Sequence, residues 1–184
     1  MADSLHGKLL VATPKLLDPN FARTVILICT HDDDGAMGLV LNSPLAGAGL
    51  SGHVPAWSGF AAPPGVVFRG GPVEPEAGLG LGLFAAPADV PGWTPITGRV
   101  GLLDLSQPPE DVPGLLRARI FAGYAGWGAQ QIQDEIAEGA WFVLDAEEDD
   151  AFAGEPAHLW RQVLRRQQGR IAMFAYSPID PRAN

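Results

Sequence analysis

Apolar residues in this chain gather in short runs, separated by clusters of Gly, Pro, Asp and Asn. Runs of that length suit strands better than helices. The clearest two are Thr24–Thr30 (TVILICT) and Ala36–Leu41 (AMGLVL). Between them stands His31-Asp32-Asp33-Asp34-Gly35, and Asn42-Ser43-Pro44 closes the second run. Asp-Gly is a turn signal, because glycine takes positive φ without steric cost. The pattern predicts a β-hairpin. Neither run alternates polar with apolar, so both faces of the hairpin are expected to be covered.

The flanking pattern continues in short elements. Gly7–Ala12 (GKLLVA) reads as a first strand, and Pro14 and Pro19 keep Thr13–Asn20 from forming a long helix. Ala46–Gly65 lacks a clean period and reads as a loop with a helical turn around His53–Gly59. Gly65–Gly71, Leu79–Ala85, Ile96–Gly98 and Val100–Asp104 read as strands, with Gly80 and Gly82 leaving one face bare for close packing. Pro108–Arg119 reads as a short helix, Ile120–Tyr124 as a strand and Gly126-Trp127-Gly128 as a tight loop. Ala129–Glu138 predicts a helix, with Ile132 and Ile136 on one face and Gly139 at its stop. Ala140–Asp145 is a strand by composition. Glu147–Asp150 is an acidic bend. Pro156–Gln168 is a second helix, with Pro156 at its first position, Glu155 at the positive end of its dipole and Gly169 at its stop. Ile171–Tyr176 is apolar and Ser177–Asn184 looks like an extended tail. No repeat, linker or composition break divides the chain, so 1–184 is read as a single domain. The class is mixed α/β of the α+β type, richer in strand than helix and without βαβ regularity.

Composition narrows the function. The 184 residues carry a formal net charge of −9, which repels a phosphate backbone and argues against non-specific nucleic-acid binding. Cys29 is the only cysteine, so neither an internal disulfide nor a thiolate metal cluster is available. Its apolar run predicts a buried, inert thiol. No segment has the roughly 18 apolar residues of a membrane span, and MADSLHGKLL lacks the features of a secretory signal. A cytoplasmic protein without a membrane partner is the expectation.

Several pieces together resemble the YqgE/AlgH family of bacterial proteins. They are Gly7–Ala12 with Leu17-Asp18-Pro19-Asn20-Phe21, Arg23 before the strand, and His31 with Gly35-Ala36-Met37-Gly38-Leu39-Val40-Leu41-Asn42. Arg69-Gly70-Gly71-Pro72-Val73, Gly123-Tyr124-Ala125-Gly126-Trp127-Gly128 and Trp160 complete the set, which spans nearly the whole chain. The resemblance implies a single compact domain with a mixed, partly barrel-like sheet flanked by a few short helices. It implies no particular activity. One position departs: Gln130 stands where the family's loop usually has Gly, and a positive φ there would strain the loop.

The standard catalytic and nucleotide motifs are absent, and no cofactor is called for. There is no G-x-x-x-x-G-K-[ST], H-E-x-x-H, G-x-S-x-G or C-x-x-C, and Gly78-Leu79-Gly80-Leu81-Gly82 lacks the third glycine of a dinucleotide loop. His31 with Asp32, Asp33 and Asp34 offers metal-ligand types, but consecutive side chains diverge, so a solvated turn is expected and no metal. Gly126-Trp127-Gly128 could present backbone N–H groups to an anion and an indole to a planar ligand, with Gln131 adding hydrogen bonds. The competing reading is a tight turn with Trp127 as a packing lid. Arg69-Gly70-Gly71 offers a guanidinium fork beside glycines that permit close approach; the alternative is a buried ion pair for Arg69. For Arg23, a structural pair with Asp18 is the competing use.

Three functions follow in order. The first is a non-catalytic binding or regulatory protein. Its small-molecule or anion site is made by Arg69–Gly71, Gly126–Gln131 and Arg23, His31 and Asn42, and a protein partner is open to it as well. The second is an enzyme of unknown class using the same cleft, with His31 as acid/base. The third is direct DNA binding, as by a transcriptional regulator, through Arg161, Arg165, Arg166 and Arg170, whose competing use is to complement the dipole of the last helix. A shared cleft demands that these loops converge within the span of one small ligand.

Overall fold

The computed structural model describes residues 3–86 and 90–179. The central hairpin is present: strand β2 (Val25–Asp32) pairs antiparallel with β3 (Gly35–Val40). Val25, Leu27 and Cys29 enter one core with Leu39, whereas Ile26 and Ile28 enter a second core with Ala36 and Val40. Both faces of the ribbon are therefore dry, which explains why neither run alternates. A register shift between Ile28 and Thr30 accommodates Cys29. Burial pushes the Cys29 thiol up to about 12, the inert state expected of it.

Asp33 and Asp34 alone form the hairpin loop, since Asp32 pairs with Gly35. The Asp32 carboxylate accepts the N–H groups of Asp34 and Gly35 and so closes the turn. Gly35 is needed for a further reason: a β-carbon there would overlap the Trp127 carbonyl of the next strand.

The other strands build outward from this pair. On one side lie β1 (Lys8–Ala12) and then β10 (Trp141–Asp145), at the sheet edge. On the other side β3 pairs with β9 (Leu115–Gly128), which pairs in turn with β6 (Val73–Phe84). Beyond β6 come β8 (Val100–Leu103) and β7 (Trp93–Thr97). A small pair, β4 (Pro44–Gly49) and β5 (Val66–Arg69), joins through a parallel β5–β9 contact. The 10-stranded sheet is thus mixed but mostly antiparallel, and it curls into a half-barrel. Helix α1 (Leu50–His53) and a 3-10 turn at Pro55–Phe60 fill the stretch read as a loop with a helical turn. Helix α2 (Gln131–Ala137) covers the second core with Ile132 and Ile136. Helix α3 (Pro156–Arg165) closes the first core with Leu159, Trp160, Val163 and Leu164. Helix α4 (Arg170–Met173) and a 3-10 turn at Phe174–Tyr176 follow, in the stretch read only as apolar. Among the described residues no helix is long and apolar enough to cross a membrane. Most of the expected tail, from residue 180, lies outside the described residues.

The region before α2 departs from the sequence reading. Pro108–Arg119 is not a helix: a 3-10 turn spans Pro109–Asp111, and β9 begins at Leu115. Pro113 would remove an interior helical hydrogen bond, and Gly114 adopts φ +87°, so the chain turns there and enters the sheet. Gly126-Trp127-Gly128 is likewise strand, not loop, because it lies against Met37, Ala36 and Gly35 of β3. Strand β9 serves three partners, and Gly123 (φ +73°) is where it bends from β6 toward β3. Gly80 and Gly82 of β6 do leave a bare stripe, filled by Leu103, Leu105 and Leu115.

Gly70 tests how tightly the β3–β5–β9 junction closes. A β-carbon there would overlap the Gly123 carbonyl and lie 2.8 Å from Leu39 Cδ2, whereas one at Gly49 meets nothing within 4 Å. Gly70→Ala should cost about 3 kcal/mol by overpacking, and Gly49→Ala within about 0.5 kcal/mol of zero, both read from urea unfolding midpoints.

Candidate functional site

The residues singled out in the sequence fall into two groups at opposite ends of the central hairpin. Arg23, Asn42 and Arg69 lie at its open end, and Gly70 and Gly71 pack on β9 between the ends, Gly71 against Tyr124 and Ala125. His31, Gly126, Trp127, Gly128 and Gln131 lie around its turn. Arg23 and His31 are eight positions apart along nearly extended chain, about 25 Å at the usual strand rise. Arg23 and His31 therefore do not meet in one small-ligand cleft, because the length of β2 separates them.

At the turn end the side chains are occupied internally. The indole of Trp127, 7% exposed, packs edge-on to Trp141 and donates from Nε1 to Glu135 Oε2 at 2.9 Å. Trp141 Nε1 donates to the same oxygen at 2.8 Å. Gln131 Oε1 accepts the Gly128 N–H, and its Nε2 donates to Glu135 Oε1. This is the packing-lid arrangement: Trp127 stacks against protein and has no free face for a planar ligand. Gln130 takes φ −110°, so the departure from glycine there introduces no strain.

His31 Nδ1 accepts the Leu5 N–H at 2.9 Å, and Nε2 lies 3.3 Å from the Gln133 amide. The neutral ring then carries its proton on Nε2. Gln133 Oε1 supplies the acceptor once the amide is turned, which also satisfies an oxygen otherwise buried without a partner. An open recess of about 450 Å³ adjoins this pair, rimmed by Ser4, Asp32, Asp33 and Gln130. Both ring nitrogens are engaged, so His31 holds the N-terminal segment to α2 and presents no free acid/base nitrogen. Among the described residues no His, Cys, Asp and Glu group is arranged to hold a metal ion.

The open end is built differently. Asn42 extends the ladder with its side chain: Oδ1 accepts the Val25 N–H and Nδ2 donates to the Arg23 carbonyl. Gly70 and Gly71 are buried at the β9 contact, so they set backbone spacing and do not line a surface. Arg23, at φ +57°, does not pair with Asp18. Its guanidinium lies 4.1 Å from the Trp160 ring centroid and donates to the carbonyls of Ser177 and Pro178. Arg161 donates to the Ala175 and Ser177 carbonyls beside it. Burial and the nearby Arg161 charge both push the Arg23 guanidinium down from its ordinary value. Arg69 forms no buried ion pair either; its Nη2 donates to Asn20 Oδ1 at 2.9 Å. Among the described residues, none of these three arginines has a carboxylate within bridging distance.

Two charged residues escaped the sequence reading. Arg119 is 2% exposed and is held by the carbonyls of Pro63, Ala151 and Ala153 over the Phe68 ring, where burial pushes it down to about 10. It lies in strand β9, in a stretch whose local sequence suits a helix, so nothing local marks it as buried. Asp150, 4% exposed, takes both guanidinium nitrogens of Arg166 at 2.6 Å. With Arg161 on carbonyls and Arg165 against Tyr176, three of the four C-terminal arginines have partners within the chain.

A family model described as AlgH-like matches residues 9–172. A UPF0301 protein of Streptomyces avermitilis is 47% identical over 186 residues, covering 98% of this chain and 96% of the relative. A UPF0301 protein of Thermobifida fusca is 43% identical over 194 residues, covering 98% and 96%. A crystal structure of a Corynebacterium diphtheriae protein superposes with TM-score 0.89 at 30% identity, covering 95% of this chain and 93% of that one. The solution structure of the AlgH protein of Pseudomonas aeruginosa gives TM-score 0.68 at 27% identity, covering 97% and 98%.

The Glu135 carboxylate is the keystone of the turn end, since two buried indoles share one of its oxygens. Glu135→Ala should cost about 3 kcal/mol in urea unfolding, because both donors lose their partner, and Glu135→Gln should cost clearly less.

Proposed function

The chain belongs to the AlgH-like family, and from that premise we propose that it is a non-catalytic binding protein for an anion, a carboxylate or phosphate group. Arg69, Arg23 and Arg161 take up the ligand at the open end of the β2–β3 hairpin. The reading rests on one observation: among the described residues, the guanidiniums of Arg23, Arg69 and Arg161 are satisfied only by neutral oxygens, in a chain of 21 acidic residues. Arginines in so acidic a protein have carboxylates to choose from, as Arg99 and Arg166 do. Charge-assisted hydrogen bonds are about twice as strong as neutral ones. An anion that bridges Arg23 and Arg161 also relieves the repulsion between them. Arg69 uses one nitrogen on Asn20, which leaves donors of its fork for a ligand.

Thermal unfolding in phosphate, pyrophosphate and citrate, against chloride at equal ionic strength, tests this reading. At a hundredfold excess over Kd, one of these anions should raise the wild-type Tm by about 5 °C, and Arg69→Ala should lose most of the gain. No shift with any of them, or a shift that Arg69→Ala retains in full, contradicts it.

A further inference from the structure

The two edges of the sheet are treated differently. Edge strand β7 carries Pro95 and a register shift between Pro95 and Thr97, both of which blunt an edge against further pairing. Edge strand β10, Trp-Phe-Val-Leu-Asp, has no proline, no lysine and no bulge against its neighbour β1. Its hydrogen-bonding phase follows from its surroundings. Ala12 donates to Thr24 and Thr13 donates to Ala140, so Leu9 and Val11 of β1 point their main-chain groups toward Leu144 and Phe142. The N–H and C=O groups of Trp141, Val143 and Asp145 therefore face outward. Among the described residues only the Asp145 carbonyl has a partner, Arg166 Nη2 at 3.2 Å, and a carbonyl accepts two bonds. Val143, at the middle of this edge, is 38% exposed.

We propose that β10 is a self-pairing edge: a second copy of this chain adds its β10 antiparallel to the first, about a two-fold axis at Val143. Charge selects a second copy as the occupant. Lys15 shares a recess with Trp141 at one end of the strand, and it lies in no ion pair among the described residues. Asp145 stands at the other end with an 89% exposed side chain, and Lys8 contacts only its Oδ1. Antiparallel pairing about Val143 sets Trp141 opposite the partner's Asp145, which brings Lys15 to that carboxylate twice over. The same operation matches every outward N–H with an outward C=O, and it meets the isologous requirement of a two-fold interface. The apolar recess of about 300 Å³ formed by Trp141, Phe142 and Phe174 lies at each end of the joined strands.

Sedimentation velocity from micromolar to about 1 mM protein tests the pairing. Wild type should dimerise with rising concentration, and the Val143 amide should exchange more slowly in the dimer. Val143→Lys, which sets like charges face to face on the axis, should weaken association about tenfold or more. Lys15→Glu should weaken it too, and Lys15→Glu combined with Asp145→Lys should restore it. Circular dichroism and Tm of each variant confirm the fold. A chain that stays monomeric to 1 mM overturns the proposal and leaves the edge to a strand from a different protein. A dimer indifferent to Val143→Lys overturns it as well.

Discussion

Strand β9 must serve three neighbours at once, and the rest of the structure follows from how it does so. It runs antiparallel to β6 over its first part, meets β5 in parallel at Phe121 and Ala122, and ends against β3. β5 and β3 succeed each other along the strand, with a bend between them. Gly123 supplies it, with the carbonyls of Gly71 and Val73 packed where a side chain would stand. At that bend the main chains of three strands come within contact distance, which only hydrogen atoms on the α-carbons permit. The central hairpin is then held on one edge by β1 and on the other by the bent end of β9, with a hydrophobic core on each face.

This geometry explains what could be read from the amino acids and what could not. The hairpin was legible because Val25–Ile28 is apolar at every position, and only a strand covered on both sides needs that. The helices at Gln131–Ala137 and Pro156–Arg165 were legible from spaced apolar residues and their bounding glycines. The first half of β9 was not. Leu115, Leu116 and Ala118 suit a helix locally, and it is β6 alongside that settles the matter. Gly126 and Gly128 signal a loop by composition, yet both pair with β3, and a β-carbon at Gly128 would meet nothing within 4 Å. Gly35 suits the turn by type, but the Trp127 carbonyl is what excludes a side chain there. Contacts between distant segments leave no local trace.

The candidate site divides in the same way. Many residues whose types carry binding chemistry serve architecture here. Asn42 stands in for a strand residue, His31 pins the N-terminal segment, and Trp127 and Trp141 close over Glu135. The arginines are the exception. Arg119 is buried on carbonyls and Arg166 is paired with Asp150, whereas Arg23, Arg69 and Arg161 rest on neutral oxygens at one end of the hairpin without being buried in the core. That imbalance of charge, in an acidic chain, is the observation on which the proposed anion site rests.

The central claim is that the β2–β3 ribbon, clasped by β1 and the bent end of β9, is the last part of the molecule to open. Native-state hydrogen exchange in low denaturant measures this directly. Amides of β2, β3 and the Ile120–Ala125 stretch should exchange only through global unfolding, with a free energy equal to that from denaturant titration, while β4 and the β7–β8 pair open earlier. Local opening of β2 or β3 at a free energy below that of β7–β8 would contradict it.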